Sequence, residues 1–376
     1  MEAVRILYLI DNLQFGGGER VFSQIINGLD TNRYKILLAS LPDEPFNKSI
    51  TNKHVKHLPL DFSKRVNPRL SFQIKKIIQT NGIQIVHGQG TRAEFYARIA
   101  HGLAGNSKYV STIAMPVEGF DIGGARKKIY RFFDGISEKF VDQFIVVSDY
   151  LKNKMINERG IDPDKVVRIY NGIELKHYSP DKAKESRSII RKKLKIDDNT
   201  YIIGAIGRLV WQKGFEYLIR GIPDVVKISH RVKFLIVGDG PLTNTLKEHV
   251  VRLKVDDHLI FSCFRNDIKD ILAAIDILAI PSLLEGFPMI TLEGMAMAKP
   301  IVASRIHGIS EQIDDNINGI LIPPKDTNAL ACSIIQLLKD KNKRVRLGEQ
   351  ARKKVQEKFS IDQMITETEK VYQSLI

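Results

Sequence analysis

Short apolar runs alternate with amphipathic helical patterns along almost the whole chain, and this alternation is the feature that most limits its fold. The apolar runs predict buried strands, and apolar residues spaced three and four apart predict helices that pack on a sheet. A repeated strand and helix order is typical of parallel sheets covered by helices on both faces. The sequence therefore predicts an α/β fold.

A charged stretch separates two sets of predicted strands. The first set lies at residues 4–10, 34–39, 83–87, 109–113, 143–147 and 166–170, and the second at 201–206, 232–237, 258–261, 275–280, 300–303 and 319–322. The stretch between them, 173–200, is rich in Lys, Arg and Ser, as a linker would be. We predict domains over 1–172 and 201–358, a linker over 173–200 and a terminal helix over 359–376.

Composition narrows the class of protein. Apolar residues make up 43% of the 376 residues, as in ordinary globular proteins. No apolar run reaches the roughly 18 residues of a membrane span, and the first ten residues predict a strand, not a signal peptide. Cys263 and Cys332 are far apart and lack metal-ligand spacing. We therefore expect free thiols and a cytoplasmic protein.

The net charge of +14 is the one unusual value. A basic surface attracts nucleic acid, anionic lipid or anionic small molecules, or it serves solubility alone. The lysines are spread along the chain, and neither zinc-finger spacing nor an aromatic RNA-binding strand accompanies them. We expect no nucleic-acid partner. A solvated basic face, a membrane surface and anionic substrates stay open.

A glycine-rich turn follows the first predicted strand. Gly16, Gly17 and Gly18 precede Glu19 and open a helix, where backbone N–H groups can meet negative charge. The turn does not match the dinucleotide fingerprint, which would need a third glycine at Val21. A purely structural turn before a helix is the alternative interpretation.

Two cations lie close to the end of the strand predicted at 201–206. Arg208 and Lys213 could hold a diphosphate there, because ligands of open parallel sheets bind at the carboxyl ends of strands. Solvated loop cations are the alternative. Asp239 lies in a further turn, between Gly238 and Gly240, for which we expect a structural role that shapes a nucleotide pocket.

The turn after the strand predicted at 275–280, and the helix that follows it, contain two candidate binding carboxylates. Glu285 lies in the loop, and Glu293 lies on the next helix, which is almost wholly apolar and so predicted to be buried. Pro288 suits the first turn of that helix, so the amides of Gly286 and Phe287 would form an anion site. A buried carboxylate needs a partner. We expect the two carboxylates to bind hydroxyls, one set on a sugar and one on a ribose.

Taken together, these turns resemble the retaining GT-B glycosyltransferases of family four. The family's G-G-x-E loop, G-R-L…K-G element, G-x-G-P turn, E-x₇-E signature and inter-domain segment are matched at residues 16–19, 207–214, 238–241, 285–293 and 166–174. The resemblance covers nearly the whole chain. It implies two Rossmann-like α/β domains that face each other across a cleft, with the final helix packed back on the N-terminal domain.

The resemblance also implies a reaction. A hexose-type sugar would move from a nucleotide diphosphate donor, UDP- or GDP-linked, to a glycan or lipid-linked acceptor in surface polysaccharide or glycolipid synthesis. Anomeric configuration would be retained, with no covalent nucleophile, no metal ion and no bound cofactor. Two alternatives of the same fold stay open, namely a nucleotide-sugar epimerase and a catalytically altered protein that only binds the nucleotide sugar.

Roles for single residues come from the same resemblance. Arg208 and Lys213 would hold the diphosphate and neutralise its charge as it leaves. Glu285 would contact the donor sugar, and Glu293 the ribose. The remaining donor contacts would come from Gly17, Gly18, Phe264, Arg265, Gly286 and Phe287.

The sequence departs from the family on the acceptor side. Ala114 stands where many members carry a histidine, and His87, at the end of a predicted strand, is the nearby substitute by position. A satisfied, half-buried histidine is the alternative for His87. Glu19 is the second acceptor-side candidate. Cys263 stands where relatives often have glycine, which leaves the base preference open.

The basic and aromatic stretch at 124–133 is a candidate surface for the acceptor. Its lysines, arginines and aromatic residues recur at helical spacing. We hypothesise that it rests on an anionic membrane surface, at the inner face of the membrane. An ordinary helix with solvated lysines is the alternative.

Overall fold

The structure is a computed structural model that describes residues 2–11, 15–42, 44–64, 67–115, 134–180 and 183–376. The chain divides into two compact units. The first comprises Met1–Gly172 and Ile361–Ile376, and the second comprises Ile173–Ser360.

The first unit is built on a parallel sheet. In its described residues the strands are β1 (Val4–Ile10), β2 (Tyr34–Ser40), β3 (Lys56–Pro59), β4 (Ile85–Gln89), β5 (Lys108–Ile113), β6 (Gln143–Val146) and β7 (Val166–Arg168). They pair in parallel in the order β3-β2-β1-β4-β5-β6-β7. The helices are Gly17–Gly28, Pro45–Lys48, Arg69–Thr80, Thr91–Ala104, Asp149–Asn157 and Ile361–Leu375.

The second unit repeats this plan. Its strands are β8 (Tyr201–Ile206), β9 (Val232–Val237), β10 (Leu259–Ser262), β11 (Ile277–Ile280), β12 (Ile301–Ser304) and β13 (Ile320–Ile322). They pair in parallel in the order β10-β9-β8-β11-β12-β13. The helices are Ala183–Lys193, Phe215–Ile228, Thr243–Leu253, Ile268–Ala274, Met289–Ala296, Ile309–Gln312, Thr327–Lys339 and Lys341–Lys358.

Burial explains why the apolar runs form these sheets. In β1 the side chains from Ile6 to Leu9 are all 0% exposed, so both faces of the strand are covered. The register places Ile6 between Ile36 of β2 and Ile85 of β4, which lets branched side chains pack across the sheet. The predicted α/β fold on parallel sheets is confirmed.

Each sheet reverses its strand order next to its first strand. In the first unit β1 lies between β2 and β4, and in the second unit β8 lies between β9 and β11. The crevice outside the carboxyl ends of the strands at such a reversal is the usual ligand site of an open α/β sheet. The fold thus directs attention to the turns that follow β1, β4, β8 and β11.

The segment predicted as a linker, 173–200, is instead part of the second unit. Its helix Ala183–Lys193 carries Arg191, which is 1% exposed and pairs with Asp276 at 2.6 Å. Arg187 pairs with the other oxygen of Asp276 at 2.8 Å. The charged composition that suggested a linker therefore reflects ion pairs to a distant carboxylate.

The edge strand β3 was also absent from the prediction. Its Lys56 and His57 are exposed, and among the described residues it pairs only with β2, so it lacks the apolar run that marks a buried strand.

The final helix, Ile361–Leu375, belongs to the first unit. The hydroxyl of Tyr372 on this helix lies 2.6 Å from the hydroxyl of Tyr8 in β1. A buried polar contact of this kind ties the end of the chain to the centre of the first sheet.

Surface features bear on the predicted environment. Cys263 and Cys332 are free and exposed. No helix in the part of the chain that the structure describes combines the length and the hydrophobicity needed to cross a membrane. The stretch at 124–133, for which we hypothesised membrane contact, lies outside the described residues.

Candidate functional site

The turns after β8, β9 and β11 lie against one another at the carboxyl edge of the second sheet. The backbone N–H of Leu209 donates to the carbonyl of Asp239 at 2.8 Å, which joins the turns after β8 and β9. The N–H of Leu283 donates to the carbonyl of Gln212 at 2.7 Å, which joins the turns after β8 and β11. Three sequence motifs that lie far apart in the chain are thus assembled at one place.

Two glycines make this close approach possible. Gly214 has a φ of +60°, and a Cβ there would overlap the carbonyl oxygen of Pro281. Gly238 has a φ of +143°, and a Cβ there would overlap the carbonyl oxygen of Gly207. Only glycine combines these backbone conformations with the absence of a side chain.

Lys213 and Glu285 form an ion pair in this assembly. The Nζ atom of Lys213 lies 2.7 Å from Oε1 of Glu285, and the side chains are 21% and 4% exposed. The same oxygen accepts a hydrogen bond from Oγ of Ser282 at 2.8 Å. The structure therefore brings together two predicted site residues and adds Ser282. The sequence signalled Ser282 only by its place in the turn after β11.

Glu293 is buried, at 3% exposed, and has a buried partner. The hydroxyl of Tyr178 donates to its Oε1 at 2.9 Å. The expectation that a carboxylate on this apolar helix needs a partner is met. No local pattern indicated Tyr178 as the partner, because 115 residues separate the two in the chain.

Other residues of the second unit that were predicted to bind the donor substrate differ in exposure. Arg208 is exposed and follows the end of β8. Gly286 and Phe287 precede the helix Met289–Ala296, and the ring of Phe287 is buried edge-on against Phe359, with ring centres 5.3 Å apart. A ligand would therefore contact the backbone of Phe287 and not its buried ring.

Phe264 and Arg265 follow the edge strand β10. The side chain of Phe264 is 61% exposed, while its N–H donates to the carboxylate of Asp239 at 2.6 Å. Nε of Arg265 donates to Asp267 at 2.7 Å, and this hydrogen bonding lowers the pKa of the Asp267 carboxyl. Asp239 of the turn after β9 and Asp267 hold the loop in place, and the Phe264 ring is exposed to solvent.

In the first unit, the glycine-rich turn precedes the helix Gly17–Gly28. Oε2 of Glu19 accepts the N–H of Gly16 at 2.8 Å, so this carboxylate closes the first turn of the helix. A Cβ on Gly18 would lie 3.2 Å from Nε2 of Gln89 and 3.8 Å from the Cβ of Ala114. The turn therefore lies beside the carboxyl ends of β4 and β5. Gly17 is the first residue of the helix.

Asp11, which directly follows β1, was not among the predicted site residues. Its Oδ2 accepts the N–H of Arg92 at 3.0 Å, and burial raises the pKa of its carboxyl to about 6. Its place after a strand was an available signal. The acid lies at the carboxyl end of β1, the strand next to which the first sheet reverses its order.

The acceptor-side role predicted for His87 does not fit the structure. His87 is 0% exposed, with Nδ1 at 2.5 Å from the hydroxyl of Tyr372 and Nε2 at 2.7 Å from Oγ1 of Thr112. Burial lowers the pKa of its imidazole to about 3. Both nitrogens are engaged inside the first unit, so His87 is a structural residue of the core, as in the alternative interpretation.

Among the residues that the structure describes, no three His, Cys, Asp or Glu side chains form a cluster that could hold a metal ion. Arg208 and Lys213 both lie in the turn that follows β8.

Comparison with known families divides the chain in the same way as the fold. Residues 15–177 match the model described as Glycosyltransferase Family 4. Residues 186–354 match the model described as Glycosyl transferases group 1.

Individual relatives agree with these matches. The chain is 34% identical over 232 residues to an uncharacterized glycosyltransferase of Methanocaldococcus jannaschii, a match that covers 61% of this chain but only 59% of the relative. It is 27% identical over 315 residues to the UDP-Gal:alpha-D-GlcNAc-diphosphoundecaprenol alpha-1,3-galactosyltransferase of Escherichia coli, which covers 80% of this chain and 78% of that enzyme.

The fold has a solved counterpart over its whole length. The crystal structure of HepE of Anabaena, in complex with UDP and glucose, superposes with a TM-score of 0.86 at 22% identity, and covers 99% of this chain and 100% of that one. Two adjoining family models and two parallel α/β sheets thus lead to one conclusion. The chain belongs to the group 1 glycosyltransferases and has the GT-B fold.

Proposed function

We propose that the protein transfers a hexose-type sugar from a nucleotide diphosphate to a glycan or lipid-linked acceptor, in the synthesis of a surface polysaccharide or glycolipid. The observation that carries this proposal is the ion pair of Lys213 and Glu285 at the carboxyl edge of a parallel sheet, with Arg208 in the same turn as Lys213. Two relatives support it. The E. coli enzyme is named for UDP-galactose and a diphosphoundecaprenol acceptor, and HepE was solved with UDP and glucose.

The cations act on the donor diphosphate in this proposal. Arg208 offers a planar fork of N–H donors, and Lys213 offers a compact charge with three donors. Lys213 can therefore keep contact with Glu285 while it binds a phosphate oxygen. The two cations neutralise the charge that develops on the leaving diphosphate, the part that a metal ion plays in other transferases.

Glu285 contacts the donor sugar. Its Oε1 is held by Lys213 and Ser282, which fixes the carboxylate so that its remaining acceptor positions can receive sugar hydroxyls. The bond from the anomeric carbon to the phosphate oxygen breaks, and a bond to the acceptor oxygen forms on the same face. The acceptor proton passes to the leaving phosphate, so configuration is retained and no enzyme nucleophile is needed.

Further residues recognise the nucleotide and the phosphates. Glu293 accepts the ribose hydroxyls, and the backbone amides of Gly286 and Phe287, just before a helix, meet the sugar or its phosphate. The exposed ring of Phe264 suits a base, and Arg265 lies next to it. For Gly17 and Gly18, contact with the diphosphate stays a prediction.

The donor nucleotide is UDP in this proposal, with GDP as the alternative. The acceptor would be met at the cytoplasmic face of a membrane, where anionic lipid attracts a chain of net charge +14. Transfer without a metal ion and without a bound cofactor belongs to the same proposal.

The test begins with thermal unfolding of the protein in the presence of UDP, GDP and their hexose conjugates. Release of the stabilising nucleotide is then measured with and without polyprenyl diphosphate-linked sugars. Glu285→Ala should abolish acceptor-dependent release and keep nucleotide binding. Glu349→Ala, an exposed glutamate on the helix Lys341–Lys358, is the matched control and should keep full activity.

Each outcome separates the alternatives. Release that needs no acceptor would favour an epimerase, and binding without any release would favour a binding protein. Full activity of Glu285→Ala would contradict the assignment of this site.

A further inference from the structure

Tyr178 lies outside every motif that identifies the family, yet it contacts a motif carboxylate. Its hydroxyl donates to Oε1 of Glu293 at 2.9 Å, and both side chains are 3% exposed. Tyr178 directly follows the 3-10 turn Leu175–His177, in the stretch that was predicted as a linker. A tyrosine from that stretch therefore reaches the helix Met289–Ala296.

We propose that Tyr178 is a positioning residue for nucleotide recognition, because its hydroxyl orients the Glu293 carboxylate toward the ribose hydroxyls of the donor. This inference rests on the ribose role of Glu293 in the proposed function. Tyr178 itself touches Glu293 and acts on the nucleotide only through it.

The physical argument begins with the freedom of a glutamate side chain. Glu293 has three rotatable bonds, and holding them in one arrangement costs conformational entropy. A hydrogen bond from a buried hydroxyl to a carboxylate is strong, since little water competes for either group. A carboxylate offers about four acceptor positions, so it can accept a tyrosine hydroxyl and ribose hydroxyls together. Tyr178 thus orients the Glu293 carboxylate before the nucleotide binds.

Tyr178 is itself held by a second element. The guanidinium of Arg352, on the helix Lys341–Lys358, donates to the carbonyl oxygen of Tyr178 at 3.1 Å. The same nitrogen donates to the carbonyl oxygen of Ala296, at the end of the helix that carries Glu293. Arg352 therefore joins the backbone of Tyr178 to the helix of its partner. The hydroxyl has a defined place from which to hold the carboxylate.

The test compares a nucleoside diphosphate with its 2′,3′-dideoxy analogue. Binding of UDP and of dideoxy-UDP to the full chain is measured by isothermal titration calorimetry, or of the GDP pair if the wild type binds GDP. The wild type should prefer the nucleotide with hydroxyls. Tyr178→Phe should weaken UDP binding about fivefold and leave dideoxy-UDP binding within about twofold, as for loss of one hydrogen bond that acts on the hydroxyls. A residue needed only for folding would affect both ligands alike.

Tyr201→Phe is the matched control. Tyr201 begins β8, at the amino end of the sheet, and its hydroxyl accepts from Arg344 at 3.2 Å. This variant should keep the wild-type preference. Thermal unfolding of both variants without ligand checks that each is folded. In a Glu293→Gln background, adding Tyr178→Phe should change UDP affinity by less than about twofold, since coupled residues are not additive.

The outcomes separate this inference from the proposed function. Equal weakening of both ligands by Tyr178→Phe, or an unchanged preference for UDP, would overturn the inference. If the wild type prefers UDP and Glu293→Gln loses that preference while Tyr178→Phe keeps it, the inference alone fails. If the wild type binds both ligands equally, the ribose role of Glu293 fails, and the inference fails with it.

Discussion

Replacing Glu285 by glutamine separates two roles of this carboxylate. Glu285 neutralises Lys213 in the structure, at 2.7 Å, and in the proposed function the donor diphosphate needs the same cation. Glu285→Gln removes the competing charge and keeps the shape of the side chain. We expect the variant to bind UDP more tightly than the wild type, and to transfer sugar at least about a hundredfold more slowly. The opposite signs of these two effects make the prediction specific.

The size of the first effect follows from the geometry of the ion pair. At 2.7 Å and an effective dielectric constant of about 20, the Coulomb attraction is about 6 kcal/mol. Desolvation of the buried carboxylate and screening at Lys213, which is 21% exposed, offset most of it. Removal of one partner from such a half-buried pair should cost between the ~1 kcal/mol found for exposed pairs and the ~3–5 kcal/mol found for buried pairs. If binding of the diphosphate to Lys213 regains about 1.4 kcal/mol of this free energy, Glu285→Gln binds UDP about tenfold more tightly than the wild type.

Calorimetry at low ionic strength measures this change, because salt screens the charges that the prediction concerns. Lys213→Met removes the cation and should weaken UDP binding about tenfold or more. Ser282→Ala removes a neutral hydrogen bond to the same oxygen of Glu285 and should change UDP affinity by less than about threefold.

Weaker UDP binding by Glu285→Gln, similar to that of Lys213→Met, would refute the reasoning. It would mean that Glu285 holds Lys213 in a binding-competent position and does not compete with the phosphate.

Two further predictions concern stability. Burial lowers the pKa of His87 to about 3 in the folded chain, against 6.5 for the ordinary side chain, so below pH 6.5 only the unfolded chain takes up the proton. The stability that this effect contributes above pH 6.5 is therefore lost as the pH falls toward 3, by about 2 kcal/mol at pH 5. Urea unfolding measures this loss. We expect it to be absent in His87→Asn and present in the control His54→Asn, which replaces an exposed histidine. Gly238→Ala should lower the free energy of unfolding by about 2 kcal/mol or more, since its Cβ would overlap a carbonyl oxygen. Gly135→Ala, where a Cβ meets nothing within 4 Å, should be neutral or stabilise the fold by up to about 1 kcal/mol, and equal losses from both glycine variants would contradict the steric argument.

Local patterns in the sequence were sufficient for most of the fold. The strands β1, β8 and β9 begin and end where the apolar runs predicted, because a strand covered on both faces is apolar at most of its positions. The turns that carry Arg208 and Glu285 were found for a similar reason. A glycine or proline after an apolar run marks the end of a strand, and ligands bind at such ends in parallel sheets.

Local patterns failed where charge replaced hydrophobicity. The helix Ala183–Lys193 was assigned to a linker because its arginines resemble a solvated stretch, although Arg191 is buried against Asp276. The edge strand β3 was missed because its exposed side chains form no apolar run. In both cases the deciding contact lies with another part of the chain.

The sequence by itself determined the α/β class, the identity of the motifs and the family, since each depends on residues that are close together in the chain. The tertiary structure alone decided the partners of those residues. It placed Ser282 and Lys213 on one oxygen of Glu285, Tyr178 on Glu293, and His87 inside the core of the first unit. Burial and hydrogen bonding depend on segments up to hundreds of residues away, which local periodicity does not encode.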